Sequence, residues 1–394
     1  MQQRIVKTPD AASFLGLVPT LVGMEPVESL VLVVFRGSRT CGALRMDLPR
    51  LAGDVAVKRF TNTLIGMVCR VDGADGVVPV AYTGAPFAVA PRALLLRLAG
   101  RARTAGLAVK DLLVVAGDAW GSLLDPDLPP EGRSLQQIAA IPLDGEPPLL
   151  DPAAALRLPV VPPDSVRRFA VDLAAWRSRP DGTGADLHGL DPGARGAAFG
   201  RRMAGRPFVE RVLAGLDLGP AIEGMLEPHP EGAAPCRCLA LLAALVERPV
   251  LRDLVMLQVA WGPEFGAHVR DRTLLHDGGP LDAEEPVTLA FSGGDMPRPD
   301  QRRIETALQV VALTAAHLPV GERAPLFAVA AWLHWAQGHG SIAGAFADRA
   351  AREDPGYPFA HLLGTLFETG ALPEWAFREQ PLGEAGRAWL RSPA

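Results

Sequence analysis

Apolar residues in the first third of the chain occur in short unbroken runs, the pattern of strands that are buried on both faces. Residues 30–35 form one such run of Leu, Val and Phe, and residues 112–116 form another. Residues 41–48 alternate between polar and apolar side chains, which indicates a half-buried strand paired with the first in an antiparallel hairpin. Residues 77–82 predict a further strand, and Pro79 within it favours an edge position or an early place in that strand.

Helical patterns separate these strands. Asp54 precedes a segment whose apolar residues recur on one side of a helix, and a second helix is predicted from about residue 90 to residue 106. The order β-β-α-β-α-β predicts an α/β domain with a mixed sheet over residues 1–121. Residues 122–164 are rich in Pro, Asp and Gly, and are predicted to be a linker or a long loop.

The rest of the chain has the helical period almost throughout. It divides into a helical middle region at 165–276, a second linker or loop at 277–299 and a helical, repeat-like C-terminal region at 300–394. Residues 326–337 are apolar nearly all round, so they predict a helix that other helices surround.

A tetratricopeptide-like helical hairpin is predicted in the C-terminal region. Small residues and a closing proline have the spacing of that repeat, at Gly338, Ala343, Ala347, Ala350 and Pro355. Only one full unit is visible, and about three are needed for a stable solenoid. The hairpin is therefore expected to pack with its neighbours as one unit.

Length and charge limit the classes of protein that fit. The 394 residues predict two or three domains, and a net charge of -5 gives no general attraction to nucleic acid or to anionic membranes. The apolar stretch at 11–24 is interrupted by Pro19 and lacks a cleavage site, so it is expected to belong to the mature protein. Four cysteines in so long a chain fit a reducing compartment, and we expect a cytoplasmic protein.

Motifs that would identify a reaction are absent from the sequence. It contains no P-loop, no His-Glu-x-x-His, no Gly-x-Ser-x-Gly and no paired Cys-x-x-Cys hooks. Cys236 and Cys238, with His229, would give a soft metal three ligands without a fourth, and such cysteines are commonly core residues. The sequence predicts neither a cofactor nor a metal, and it leaves open whether the protein is an enzyme.

Polar side chains near the strand ends are the candidate ligand site. They are Arg45, Asp47, Thr83, Asp118 and Trp120. Open α/β sheets bind ligands beyond the carboxyl ends of their strands, which is where several of these residues are expected. The alternative is that Arg45 and Asp47 form a surface ion pair, that Asp118 caps a turn and that Trp120 packs on the core.

The C-terminal helices carry the candidate interaction residues Trp332, His334, Trp335 and His339. Aromatic side chains supply much of the energy of protein interfaces when they are exposed. The alternative is that the tryptophans belong to the core, which their apolar neighbours favour for at least one of them.

Two classes of function follow from these candidates. The lack of catalytic motifs favours a protein-interaction or regulatory protein that uses its helical half, with another protein as its partner and neither a membrane nor a nucleic acid. An enzyme or small-ligand-binding protein with its site at the strand ends is the alternative. The sequence does not indicate the oligomeric state.

Several stretches resemble one known family. They are residues 18–36, Arg45-Met-Asp-Leu-Pro49, Arg248-Pro-Val-Leu-Arg-Asp253, Ala331-Trp-Leu-His-Trp335, and Asp354-Pro-Gly-Tyr357 through Gly370-Ala-Leu-Pro373. In these stretches the chain resembles an actinobacterial family known as domain of unknown function 4192. The resemblance touches most of the chain, and it implies no activity or catalytic residue.

Overall fold

The computed structural model describes residues 9–49, 53–139, 149, 151–178, 218–227, 235–275, 282–368 and 372–377. The chain divides into two compact units, Met1–Ala155 with Phe377–Glu379, and Leu156–Ala376 with Gln380–Ala394. The first unit contains a mixed sheet and the second is helical, which confirms the predicted fold class.

The first unit begins with a helix and continues as strands and helices in turn. Its elements are α1 (Ala11–Val22), β1 (Ser29–Arg36), β2 (Arg39–Asp47), α2 (Asp54–Cys69), β3 (Gly76–Tyr82), α3 (Arg92–Thr104), β4 (Ala108–Val109), β5 (Leu113–Val115), β6 (Trp120–Ser122) and the short α4 (Pro152–Ala155).

The sheet has the strand order β2-β1-β3-β5-β6, with β4 beside β3. Strand β1 runs antiparallel to both β2 and β3, whereas β3 runs parallel to β4 and β5. Both β1 and β5 therefore lie inside the sheet, as their unbroken apolar runs predicted. The carboxyl ends of β3 and β5 meet at one edge, and the amino end of β1 meets them there.

Pro79 lies in the middle of β3, so the prediction of an edge position or an early start was wrong. Lys110 N donates a hydrogen bond to Val77 O, and Thr83 N donates one to Val115 O. The odd-numbered residues of β3 thus direct their backbone groups towards β4 and β5. Pro79 falls at the break between those two short strands, where the missing N–H removes no pairing.

Helix α1 covers one face of the sheet, and the sequence patterns did not predict it. Asp10 caps it by accepting a hydrogen bond from Ser13 N at 2.8 Å. Leu15 and Val18 of α1 pack in one cluster with the inward side chains of β1, β3 and β5. Helix α3 packs against β3, and α2 packs against α3.

The second unit consists of helices that surround one apolar helix. The helices are α5 (Pro163–Arg177), α6 (Leu218–Leu226), α7 (Cys236–Val246), α8 (Pro249–Trp261), α9 (Pro263–Leu275), α10 (Pro286–Ser292), α11 (Gln301–His317), α12 (Ala324–Ala336), α13 (Gly340–Glu353) and α14 (Pro358–Glu368). Every residue of α12 except Pro325 is buried, and α12 contacts α7, α8, α11, α13 and α14. The predicted surrounded helix is confirmed, and the tetratricopeptide likeness of α12 and α13 stays a prediction.

The two predicted linkers contain ordered elements. The boundary between the units falls between Ala155 and Leu156, inside the 122–164 segment, and the 277–299 segment contains α10. Earlier in the first segment, Arg133 exchanges two backbone hydrogen bonds with Trp120, at 2.9 and 2.7 Å, and so extends the sheet by one bridge.

Candidate functional site

An open cleft of about 370 Å³ lies in the first unit, where β3 and β5 end and β1 begins. Its lining comes from α1, from the turn between α1 and β1, and from the segments that follow β3 and β5. The lining residues are Leu15, Gly16, Pro19, Glu25, Pro26, Val27, Glu28, Tyr82, Thr83, Gly84, Val115, Ala116 and Ile138. A cleft at the carboxyl ends of parallel strands is in the position where open α/β sheets bind ligands.

Glu28 is held in an unusual backbone conformation at the edge of this cleft. Its φ is +43°, the one positive φ among the described residues other than glycine. Such a conformation costs roughly 1–2 kcal/mol for a residue with a Cβ, and it persists where the surrounding contacts enforce it. Here Leu48 N donates to the Glu28 carbonyl oxygen at 2.7 Å. Backbone strain of this kind is a reason to suspect function.

The Glu28 carboxylate binds the segment that follows β3. Its Oε1 accepts hydrogen bonds from Gly84 N at 2.5 Å and from Thr83 Oγ1 at 3.4 Å. Among the described residues, its second oxygen, Oε2, has no partner. The carboxylate is therefore fixed in place while half of its capacity to accept hydrogen bonds is still free.

Arg45 positions the turn that carries Glu28, and it does not line the cleft. It donates from Nε to Ser29 Oγ at 2.9 Å and from Nη2 to the Val27 carbonyl oxygen at 3.2 Å. Its Nη1 forms an ion pair with Asp47 at 2.7 Å. Arg45 thus binds the Val27 backbone on one side of Glu28 and the Ser29 side chain on the other.

Tyr82 lines the cleft, and its hydroxyl is buried without a hydrogen-bond partner among the described residues. The whole residue is 8% exposed. Burial, followed by the negative charge of Glu25, raises the pKa of Tyr82, so the phenol keeps its proton at neutral pH. A buried hydroxyl without a partner costs about 1–3 kcal/mol in lost hydration. A molecule in the cleft is a natural source of the missing hydrogen bond.

Two glycines bring the segments after β3 and β5 into backbone contact. Gly117 N donates to the Ala85 carbonyl oxygen at 3.0 Å. A Cβ on Gly117 would lie 2.5 Å from the Gly84 carbonyl oxygen, which no side chain tolerates without movement of the backbone. The close approach of these segments sets the width of the cleft at this end.

The predicted ligand residues are only partly brought together. Thr83 lines the cleft, whereas Arg45, Asp47, Asp118 and Trp120 do not. Asp118 Oδ1 accepts a hydrogen bond from Phe87 N at 2.7 Å, which caps a turn. Trp120 is buried in the core and donates from Nε1 to the Ser134 carbonyl oxygen at 3.1 Å. The alternative structural roles therefore account for the contacts of these four residues.

Sequence reasoning missed Glu25 and Glu28, and it did not place Tyr82, the neighbour of Thr83, among the candidate ligand residues. The first two stand in the turn before β1, and a pair of acids in a turn is an ordinary solvated feature. Tyr82 is the last residue of a buried strand. Their meeting depends on the pairing of β1 with β3, in which Ser29 lies opposite Tyr82. That register, combined with the Pro-Glu turn, is the signal that could have located the cleft.

The predicted interaction residues lie in the interior of the second unit. Trp332, His334 and Trp335 are buried on α12, and His339 is half-buried just before α13. Their burial follows from the apolar residues on every side of α12. An exposed interface cannot be built from Trp332, His334 and Trp335, so the interaction hypothesis stays a prediction that needs other side chains.

Two buried imidazoles stand close together in this interior. The rings of His334 and His339 are 6.0 Å apart, and neither Nδ1 has a hydrogen-bond partner among the described residues. Burial, with a smaller effect of His339, lowers the pKa of His334 to about 3. Burial also lowers the pKa of His339, and nearby Glu305 opposes that change. Both rings are neutral at physiological pH.

A hydroxyl and an imidazole also meet in the second unit. Ser165 Oγ lies 2.7 Å from His317 Nε2, and His317 Nδ1 lies 2.8 Å from the Leu313 carbonyl oxygen. Nδ1 must donate to that carbonyl, so Nε2 accepts from the serine. Cys236 Sγ lies 3.4 Å from the same hydroxyl. These contacts join α5, α7 and α11.

Neither a metal-ligand cluster nor a membrane-spanning helix occurs in the described part of the chain. Within it, no group of three or more His, Cys, Asp or Glu side chains is arranged to hold a metal ion. None of the helices described there combines the length and the apolar character that crossing a membrane requires.

Comparison with known proteins gives one match. A family model described as "Domain of unknown function (DUF4192)" matches residues 12–270 and 298–374. No curated protein and no solved structure matches the chain.

Proposed function

We propose that this chain, which belongs to the family described as Domain of unknown function (DUF4192), binds a small molecule in the cleft. The family description names no activity, so the proposal rests on the geometry of the cleft. The observation that carries this proposal is the buried Tyr82 hydroxyl, which has no hydrogen-bond partner among the described residues and belongs to a residue of the cleft. Buried polar groups in proteins are almost always hydrogen-bonded, so an exception beside a cleft points to a ligand.

The composition of the cleft supports binding of a small molecule with an apolar part. Its volume of about 370 Å³ is within the range of known small-molecule sites. Most of the lining is apolar, and a few polar groups stand at fixed positions, of which Tyr82, Thr83 and Glu28 are the best defined. This combination of an apolar wall and a few oriented polar groups is typical of ligand sites.

The proposal is tested with a neutral probe of matching character, phenethyl alcohol, observed through the methyl NMR signals of Leu15 and Val115. Both residues line the cleft. The probe should shift both signals, and Tyr82→Phe should weaken its binding about three- to tenfold, because one neutral hydrogen bond is lost. If the methyl signals do not move at any concentration of the alcohol up to its solubility limit, the proposal is wrong.

The control variant is Tyr357→Phe. The chain has two tyrosines, and the hydroxyl of Tyr357 accepts a hydrogen bond from Arg252 in the second unit. The same chemical change is thus made at a hydroxyl outside the cleft. Binding of the alcohol should be unchanged in this variant.

A second proposal is that the helical half binds another protein. With either function, we propose a cytoplasmic location. Exposed apolar residues support the interaction, namely Val171 on α5 at 71% and Leu362 on α14 at 64% exposure. Four free cysteines support the location. Recovery of a partner from lysate that is lost with Leu362→Glu and kept with Tyr82→Phe would favour the interaction.

A further inference from the structure

We propose that the ligand of the cleft is an organic cation, an amine whose ammonium group is held by Glu28 and Glu25 and whose apolar part lies along Leu15 and Val115. This inference rests on the proposed function and adds the chemical class of the ligand. It follows from the charges of the cleft, from the fixed position of Glu28 and from the absence of a metal-ligand cluster in the described residues.

The charges that line the cleft have one sign. Glu25 and Glu28 are the charged side chains among its described lining residues, and neither Lys nor Arg is present there. Neither carboxylate forms an ion pair with another described residue. Arg45, the cation that holds the turn of Glu28, is paired with Asp47. A ligand with a positive charge would supply the counter-charge that the described lining of the cleft does not.

Glu28 is also positioned before any ligand arrives. Gly84 N and Thr83 Oγ1 hold Oε1, Arg45 holds the backbone of the turn, and the positive φ fixes the residue between them. Oε2 can therefore accept a hydrogen bond from a molecule in the cleft without a further loss of side-chain freedom. An ionised carboxylate accepts hydrogen bonds and donates none, so the ligand must bring N–H or O–H groups.

An ammonium group meets these requirements better than the alternatives. It carries a positive charge and several N–H donors, so it can bind a carboxylate oxygen and has further donors for an acceptor such as the Tyr82 hydroxyl. A phosphate or carboxylate would face two like charges. A divalent metal ion prefers several oxygen ligands in a compact shell, and within the described residues no such cluster was found.

The experiment compares three probes that share one apolar body and differ in the charge of the head group. They are phenethylamine, phenethyl alcohol and phenylacetate, each titrated against the full-length protein and followed by the methyl signals of Leu15 and Val115. We expect the amine to bind about tenfold more tightly than the alcohol, because its hydrogen bond to the carboxylate is charge-assisted, and phenylacetate to bind weakest.

Glu28→Gln identifies the carboxylate that is responsible. Glutamine keeps an oxygen that can accept from Gly84 N, removes the charge and replaces the second oxygen by an NH2 group, which an alcohol oxygen can accept from. The amine should lose about tenfold in affinity and fall to the level of the alcohol, while binding of the alcohol stays the same. Unchanged alcohol binding also shows that the cleft is intact. The control is Glu131→Gln, an exposed acid of the same unit that does not line the cleft.

The outcomes separate the two proposals. If the alcohol binds as tightly as the amine, or if Glu28→Gln leaves the amine unaffected, the inference of a cationic ligand is wrong and the small-molecule function stands. If none of the three probes moves the methyl signals, both proposals are wrong. A loss of amine binding with Glu131→Gln as large as with Glu28→Gln would also overturn the inference, since the effect would then come from the overall charge.

Discussion

Replacing Tyr82 by phenylalanine should make the unliganded protein more stable, which is the reverse of the usual effect of a substitution in a buried strand. The change removes one oxygen that is buried without a partner among the described residues. Such a hydroxyl loses its hydration on folding, which costs about 1–3 kcal/mol, and phenylalanine avoids that cost. The small gap left by the oxygen subtracts from the gain. The net expectation is about 1 kcal/mol of added stability.

Tyr357→Phe should have the opposite sign. Its hydroxyl accepts from Arg252 Nη1 at 3.1 Å, and Arg252 is 6% exposed. Without the hydroxyl, a buried guanidinium N–H loses its partner, and hydrogen bonds to charged groups contribute about 1.5–3 kcal/mol. Arg252 keeps its ion pair with Asp253 at 2.6 Å and its position 3.7 Å over the Phe359 ring, so the loss should not exceed that range.

Urea denaturation and thermal unfolding, each followed by circular dichroism and by intrinsic fluorescence, measure the stability of both variants. Tyr82 and Tyr357 belong to different compact units, so each variant should move the transition of its own unit. For a unit of this size, 1 kcal/mol corresponds to a shift in Tm of about 2–4 °C. A Tyr82→Phe protein that is less stable than the wild type by a similar amount would refute the reasoning, because its hydroxyl would then have a partner in the free protein.

Three further substitutions test other features. His334→Gln should flatten the dependence of stability on acid pH. The pKa of His334 in the folded protein, about 3, lies below the ordinary value of 6.5, so its contribution to stability is complete above pH 6.5 and is lost as the pH falls towards 3, at about 1.4 kcal/mol per pH unit. If urea titrations give the same slope of stability against pH for the variant as for the wild type, this reasoning is wrong. Gly117→Ala should destabilise the first unit by about 1–3 kcal/mol, since its Cβ meets the Gly84 carbonyl oxygen; an unaltered Tm would exclude that clash. Arg45→Met should weaken amine binding through a less ordered Glu28, with the alcohol less affected; equal losses for both probes in the NMR titration would indicate general damage.

The parts of the fold that the sequence predicted are those that depend on local patterns. Residues 30–35 and 112–116 are buried on both faces, so their apolar runs have no polar interruption and could be recognised directly. Helix α12 was recognised for the same reason. Helix α1 was missed because Pro19 interrupts its pattern. The position of Pro79 was predicted wrongly because a proline fits inside β3 only through the break between the neighbouring strands β4 and β5, which the sequence of β3 itself does not show.

The candidate site was predictable in position and only partly in composition. The rule that ligands bind beyond strand ends led to the segment that contains Thr83. The rule does not say which distant turn closes the cleft, and the contact of Glu28 with Gly84 joins residues that are 56 positions apart. Asp118 and Trp120 also come after their strand, yet Asp118 caps a turn and Trp120 packs in the core.

Pro19 affects the exchange of amide hydrogens in α1, which forms one wall of the cleft. It lies inside α1 and has no N–H, so the carbonyl of Leu15 lacks the helical hydrogen bond that residue 19 would otherwise donate. Leu15 and Pro19 both line the cleft. The last turns of α1 therefore have one helical hydrogen bond fewer, and their amide hydrogens should exchange with solvent through local opening before those of β1. A molecule packed against Leu15 would slow that exchange, so that occupancy of the cleft could be followed in the unlabelled protein by mass spectrometry, without knowledge of the natural ligand.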